Sequence, residues 1–173
     1  TKLKLENMAA PKPKVRLRAL SDNPAKNYMF NLLATDIAAS GATRALDAGC
    51  GRLRNYALFP RAYVGIGHEL RVCMLGLKEQ AKRIAKRGPP EIYVMRLERD
   101  LVFLGEFDLC VCTGTIFYTD DPLDVAARLA DLVRKGGTFL MSDNDHSRLP
   151  AYLSLLGPRF ADVNVTYWGS TPR

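Results

Sequence analysis

Apolar residues along this chain fall into two alternating patterns, short unbroken runs and longer stretches at helical spacing. Between Pro24 and Ala39, Tyr28, Leu32 or Leu33, and Ile37 recur at helical spacing; Asn23 offers a cap and Gly41 follows the end, so the pattern predicts a helix. Thr43 to Ala48 reads as a short buried strand ending in Gly49-Cys50-Gly51, and Arg52 to Phe59 as a brief helix. Ala62 to Ile66 is a second apolar strand. After it, Leu70, Met74, Leu77, Ala81 and Ile84 mark one face of a helix whose other face carries Arg71, Lys78, Lys82 and Lys86, and Gly88-Pro89-Pro90 stops it. Glu91 to Met95 gives a third strand and Phe107 to Thr113 a fourth. Asp121-Pro122 opens a helix with proline at a tolerated early position, Lys135-Gly136-Gly137 closes it, and Thr138 to Ser142 follows as a strand. A helix through Tyr152 to Leu156 leads to the last strand candidate, Asp162 to Trp168.

Strands separated by helical stretches pair in parallel through right-handed crossovers. The expected fold class is therefore α/β, a doubly wound, mostly parallel sheet with helices on both faces. Such sheets bind ligands at the carboxyl ends of their strands, near the point where strand order reverses. The Gly49-Cys50-Gly51 turn sits at one of those ends.

The chain of 173 residues, 47% hydrophobic, suffices for one full core. Residues 23–173 are expected to form that single domain. The net charge of +7 is uneven: Lys2, Lys4, Lys12, Lys14, Arg16 and Arg18, set against Glu6, place +5 in the first eighteen residues and leave +2 for the rest. Residues 1–22, which include Pro11 and Pro13, are expected to be an extended basic segment and the place where nucleic acid would bind. No apolar run approaches the roughly 20 residues of a membrane span, and no secretory signal pattern opens the sequence, so a cytoplasmic protein without a membrane partner is expected. Cys50, Cys73, Cys110 and Cys112 form no C-x-x-C pair and only two histidines accompany them, which argues for buried thiols and against a metal site.

A dinucleotide fold wants G-x-G-x-x-G, and here the pattern is Gly49-x-Gly51-x-x-Arg54; a phosphate loop of the G-x-x-x-x-G-K type is absent. The turn favours a nucleoside ligand without pyrophosphate. Ala45-Leu46-Asp47-Ala48-Gly49-Cys50-Gly51, Phe107-Asp108-Leu109-Cys110-Val111, Asp120-Asp121-Pro122 and Leu132-Val133-Arg134-Lys135-Gly136-Gly137 occur in that order. Together they resemble four motifs of the class I S-adenosylmethionine-dependent methyltransferases, especially the type-11-like domains. The resemblance covers about residues 43–143 and implies a Rossmann-like sheet, S-adenosylmethionine as cofactor and S-adenosylhomocysteine as product. It also implies that Gly49, Cys50 and Gly51 lie against the methionine and ribose, that Asp47 orients polar groups there, and that Thr113, Gly114 and Thr115 border the sulfur. That family's sheet ends in two further strands, and this sequence shows only one candidate for them.

Three positions depart from the family pattern. The third glycine of the first motif is Leu53, whose side chain is expected to fill space used by the cofactor or the adjoining helix. The tip of the second strand, where a ribose-binding acid is expected, is Gly67, followed by His68 and Glu69; Glu69 reaches the ribose if the strand runs two residues longer. After the third strand come Arg96, Leu97 and Glu98, with Glu98 the nearest substitute for an aspartate near the adenine.

The candidate catalytic residues are Tyr118, Asp143 and His146, because they follow the fourth and fifth strands at the ligand-binding end. Asn/Asp-Pro-Pro-Tyr/Phe, which amino methyltransferases of nucleic acids use, is missing, since the segment reads Thr113-Gly114-Thr115-Ile116-Phe117-Tyr118. A small-molecule acceptor is the first expectation, with RNA, protein, or a non-catalytic scaffold binding through the basic face of Arg71 to Arg87 as the alternatives. A dimer through an exposed sheet edge is compatible with the sequence.

Overall fold

Strand β1 (Arg44–Ala48) is buried on both faces from Ala45 onward, so it needs cover on both sides. The computed structural model, which describes residues 24–60 and 62–165, sets β1 at the centre of a five-stranded sheet. The order is β3-β2-β1-β4-β5, with β2 at Ala62–Gly67, β3 at Glu91–Val94, β4 at Phe107–Cys112 and β5 at Val133–Met141; every pairing is parallel. From β1 the chain winds outward to β3, then crosses back to β4. Strand order therefore reverses between β1 and β4, and their carboxyl ends flank the crevice where such sheets take ligands.

Side chains alternate between two cores. On one face Ala45, Tyr63, Leu109 and Val111 pack under Leu33 and Ile37 of α1 (Pro24–Ala39), Cys73 of α2 (Leu70–Glu79) and Ile84 of α3 (Ala81–Arg87). On the other, Leu46, Ala48, Cys110 and Cys112 meet Val125, Ala126 and Leu129 of α4 (Pro122–Asp131) and Tyr152 and Leu156 of α5 (Leu149–Leu156). Each fully buried leucine contributes about 2–3 kcal/mol to this arrangement. Asp121 caps α4 by accepting from the Leu123 and Asp124 N–H groups (3.1 and 3.0 Å), worth about 1 kcal/mol. All four cysteines are buried free thiols.

Several boundaries differ from the sequence expectation. The helix expected over Arg52 to Phe59 is reduced to a 3-10 turn at Tyr56–Leu58, because the Arg87 guanidinium takes the carbonyls of Tyr56, Phe59 and Pro60. The helix expected through Lys86 divides at Gln80, a buried side chain held by Arg83 (2.7 Å) whose backbone leaves the helical region. The crossover from β3 to β4 holds only a 3-10 turn, Val102–Leu104, and Leu97, Leu101 and Leu104 fill the core there. The Phe107 N–H captures the Leu132 carbonyl directly after α4, so β5 begins at Val133. The expected Lys135-Gly136-Gly137 turn becomes an irregularity inside the strand, between the Phe107↔Val133 and Leu109↔Thr138 pairs. Residues 162–165 pair with no strand among the described residues, against the expected strand from Asp162; 166–168 lie outside the described residues, as does the basic segment 1–22. Among the described residues no helix is long and apolar enough to cross a membrane.

Candidate functional site

Because all strands run the same way, the loops after β1, β2, β3, β4 and β5 gather at one end of the sheet. The Gly49 and Cys50 N–H groups both donate to the Ile66 carbonyl (2.9 and 2.8 Å), folding the first loop across the end of β2. Gly49 (φ +93°) and Gly51 (φ +46°) take conformations that a β-carbon disfavours. They answer to different neighbours. A β-carbon on Gly49 would lie 2.1 Å from the Thr115 Oγ1, whereas one on Gly51 would find nothing nearer than the Gly49 carbonyl oxygen at 3.9 Å. Gly49 therefore admits Thr115, and the open side of the turn is at Gly51.

Leu53 stands at φ +56°, the one non-glycine residue with positive φ among the described residues. Its side chain is fully buried with Leu33, Ile37, Tyr56, Phe59 and Tyr63. It thus keeps the backbone conformation a glycine would supply while its side chain enters the α1-side core. Close helix approach comes instead from Gly76 of α2, where a β-carbon would lie 2.6 Å from the Arg52 backbone. An Arg52–Glu79 ion pair spans the same contact.

Asp47 lies directly before this turn, only 2% exposed, and its carboxylate accepts a hydrogen bond from the Tyr63 hydroxyl (2.8 Å). Burial pushes its pKa up to about 7, with the Tyr63 bond pulling the other way. A buried acid that titrates near neutrality directly before this turn can take or release charge as its surroundings change.

β2 ends at Gly67, and Glu69 is the exposed N-cap residue of α2, with His68 exposed between them. A β-carbon on Gly67 would meet the Cys73 Sγ at 2.4 Å and the Cys50 Sγ at 3.3 Å. Burial pushes the pKa values of both thiols up. The strand tip is thus filled by sulfur, leaving Glu69 as the nearest carboxylate along the chain.

On the β3 side, Leu97 is buried and the Glu98 Oε1 accepts from the Asp120 N–H and from Arg96 (both 3.2 Å), which also reaches Asp120 (2.9 Å). Burial opposes ionisation of Glu98, and these donors together with its own backbone N–H outweigh it, holding the carboxyl below its ordinary value. Glu98 therefore ties the loop after β3 to the loop after β4. The Gly114 N–H donates to the Ser142 hydroxyl (3.1 Å), tying the loop after β4 to the end of β5. Thr113, Gly114 and Thr115 lie beside the first loop through the Gly49–Thr115 contact.

Tyr118 is 77% exposed and leans on Phe117, ring centroids 4.3 Å apart. Asp143 accepts from the Asp145 N–H (2.9 Å), the Tyr152 hydroxyl (2.7 Å) and Arg148 (3.1 Å), and these bonds outweigh burial to keep it ionised. It anchors α5 to the loop that carries His146. Among the described residues no cluster of three His, Cys, Asp or Glu side chains is placed to hold a metal.

Sequence reasoning missed Tyr63, Cys73, Gly76 and Ser142. Tyr63 had a signal: Gly65 is in register with Asp47, so Tyr63 is one diagonal step away on the same face. Cys73, Gly76 and Ser142 act by contacts between elements distant in sequence, and no local pattern marks them.

A family profile described as "Methyltransferase domain" matches residues 46–141. No curated protein sequence matches the chain. Among solved structures, magnesium protoporphyrin IX methyltransferase (ChlM) from Synechocystis PCC 6803 with bound SAM is similar at 15% identity and TM-score 0.66, over 86% of this chain and 74% of that one. YcgJ from Bacillus subtilis is similar at 12% identity and TM-score 0.62, over 75% of this chain and 66% of that one. The N-methyltransferase NodS from Bradyrhizobium japonicum WM9, in complex with S-adenosyl-L-homocysteine, is similar at 18% identity and TM-score 0.59, over 70% and 63%. The chain thus spans about two thirds of the length of the last two.

Proposed function

Since the chain belongs to the methyltransferase-domain family, with the class I Rossmann-like fold and S-adenosylmethionine as its cofactor, we propose that it transfers a methyl group to a small-molecule acceptor. The observation that carries cofactor binding here is the glycine turn directly after the buried Asp47, open at Gly51 on the side where a β-carbon would stand. S-adenosylmethionine, when bound, supplies a methyl group already activated on a sulfonium. The chain's own residues then have three tasks: to bind, to align and to exclude water.

Gly49, Cys50 and Gly51 bring backbone close to the ligand, and Asp47 offers negative charge beneath them. Gly67 contributes only backbone at the β2 tip, so His68 and Glu69 are the polar groups left to meet the ribose. Leu97 gives an apolar wall after β3, and Glu98 fixes that wall through Asp120. Thr113, Gly114 and Thr115 close the side toward β4.

Exposed Tyr118 with Phe117 supports an acceptor edge suited to a flat or apolar small molecule. The missing Asn/Asp-Pro-Pro-Tyr/Phe tetrapeptide weighs against a flipped nucleobase. Asp143 acts as a positioning residue for the His146 loop, because its carboxylate is already engaged by three donors. Calorimetry with S-adenosylmethionine and S-adenosylhomocysteine tests the reading. Micromolar binding that Gly51→Val abolishes is the expected result, and no heat at millimolar ligand overturns it.

A further inference from the structure

Helices α2 and α3 bury Cys73, Gly76 and Gln80 and turn a mixed face outward. At 100° per residue, Leu70, Met74, Lys78, Arg71 and Leu75 follow one another around the outer arc of α2, and Lys82 and Lys86 are exposed on α3. Leu70 is 61% exposed, Met74 56% and Leu75 41%. Other charges on these helices are used internally. Arg83 binds the Gln80 side chain, Arg87 binds three carbonyls, and Glu79 is neutralised by Arg52. Arg71, Lys78, Lys82 and Lys86 have no ion pair or hydrogen-bond partner among the described residues. Glu69, at the end nearest the strands, is the single acid that no cation opposes there.

We infer that this face docks on an anionic lipid surface, through its unpaired cations and the aliphatic side chains set among them. Charge excludes the two occupants the chain could supply itself. The first eighteen residues carry +5, and a second copy in a symmetric contact would present the same positive face. Its exposed apolar members, Leu70, Met74 and Leu75, are aliphatic, with no ring on which a nucleobase stacks. Lysine and arginine beside leucine and methionine on an exposed helix is the composition of interfacial helices. Docking of this kind is peripheral and needs no spanning helix; the sequence expectation of no membrane partner is the opposite outcome of the test below. α2 starts just past the carboxyl end of β2, so docking brings the mouth of the candidate site to the bilayer, where an amphiphilic acceptor is concentrated. That last consequence rests on the methyl-transfer reading; the docking does not.

The test is co-sedimentation of the full chain with vesicles of phosphatidylcholine alone or with roughly one third phosphatidylserine. The expected result is binding to the anionic vesicles only, weakened by salt. Lys78→Glu/Lys82→Glu/Lys86→Glu should lower affinity roughly ten-fold or more, and Leu70→Ser/Met74→Ser several-fold, with S-adenosylhomocysteine affinity unchanged as the measure of intact folding. Parent-like vesicle binding by the charge-reversed chain overturns the inference, since the basic segment would then suffice. So does indifference to Leu70→Ser/Met74→Ser, or tighter binding to a single-stranded RNA or an acidic peptide than to the vesicles. Vesicle binding without cofactor binding in the parent chain sinks the methyl-transfer reading and leaves the docking face standing.

Discussion

Replacing Asp47 by asparagine removes a charge that the fold keeps out of water, and the size of the effect follows from its burial. Folding raises its pKa from 3.8 to about 7. The folded chain therefore binds more protons than the unfolded chain between those values, and stability falls as pH rises through that window, then levels off above it. That rise corresponds to a penalty of about 4 kcal/mol at pH 8. Asparagine cannot ionise and still accepts from the Tyr63 hydroxyl, but its buried amide N–H₂ group adds a cost of about 1–3 kcal/mol. The net expectation is that Asp47→Asn is roughly 1–3 kcal/mol more stable than the parent at pH 8 and loses that advantage by about pH 4. Urea unfolding of both proteins at the two pH values, followed by circular dichroism, measures it, and the difference between them cancels every other titrating group. Calorimetry on the same variant should show weaker S-adenosylmethionine binding if the proposed site is right, because the carboxylate directly before the glycine turn is gone. A variant no more stable than the parent at pH 8, or a stability difference that does not change with pH, would refute the reasoning.

Leu53→Gly should relieve about 1 kcal/mol of left-handed backbone strain and lose about 3–5 kcal/mol of buried side chain, so denaturant titration should show a net loss of stability. Gly49→Ala meets Thr115 and should lower stability by about 2 kcal/mol or more, with partial recovery in Gly49→Ala/Thr115→Gly; Gly51→Ala, facing open space, should cost only about 1 kcal/mol, yet weaken cofactor binding in calorimetry. Asp108, held at about 2 by the Thr43 hydroxyl, the Arg44 and Thr43 N–H groups and Arg134, stabilises the fold above about pH 4 and stops doing so as pH falls through about 2. Acid titration by circular dichroism should show a shallower loss in that window for Asp108→Asn.

The doubly wound sheet was legible because each strand is a local apolar run and each long helix a local periodicity, and alternation of the two leaves few topologies. The glycine turn after β1, the Asp121-Pro122 helix start and the loops carrying the candidate site could be placed from the sequence for the same reason. Contacts between distant segments decided the rest. Arg87 converts residues 52–59 from helix to turn by taking their carbonyls. Leu53 read as filling space of the cofactor or of the adjoining helix; its positive φ goes with a side chain buried in the α1-side core, while Gly76, from another helix, supplies the close packing. Gly67 read as a lost acid, and the fold shows two cysteine sulfurs filling its place. Neither Asp47's titration near neutrality nor the engagement of Asp143 by Arg148 and Tyr152 has a local signature. Periodicity and turn chemistry act over a few neighbouring residues and so survive in the linear sequence. Burial, desolvation and side-chain partnership depend on which segments meet, and only the folded chain determines that.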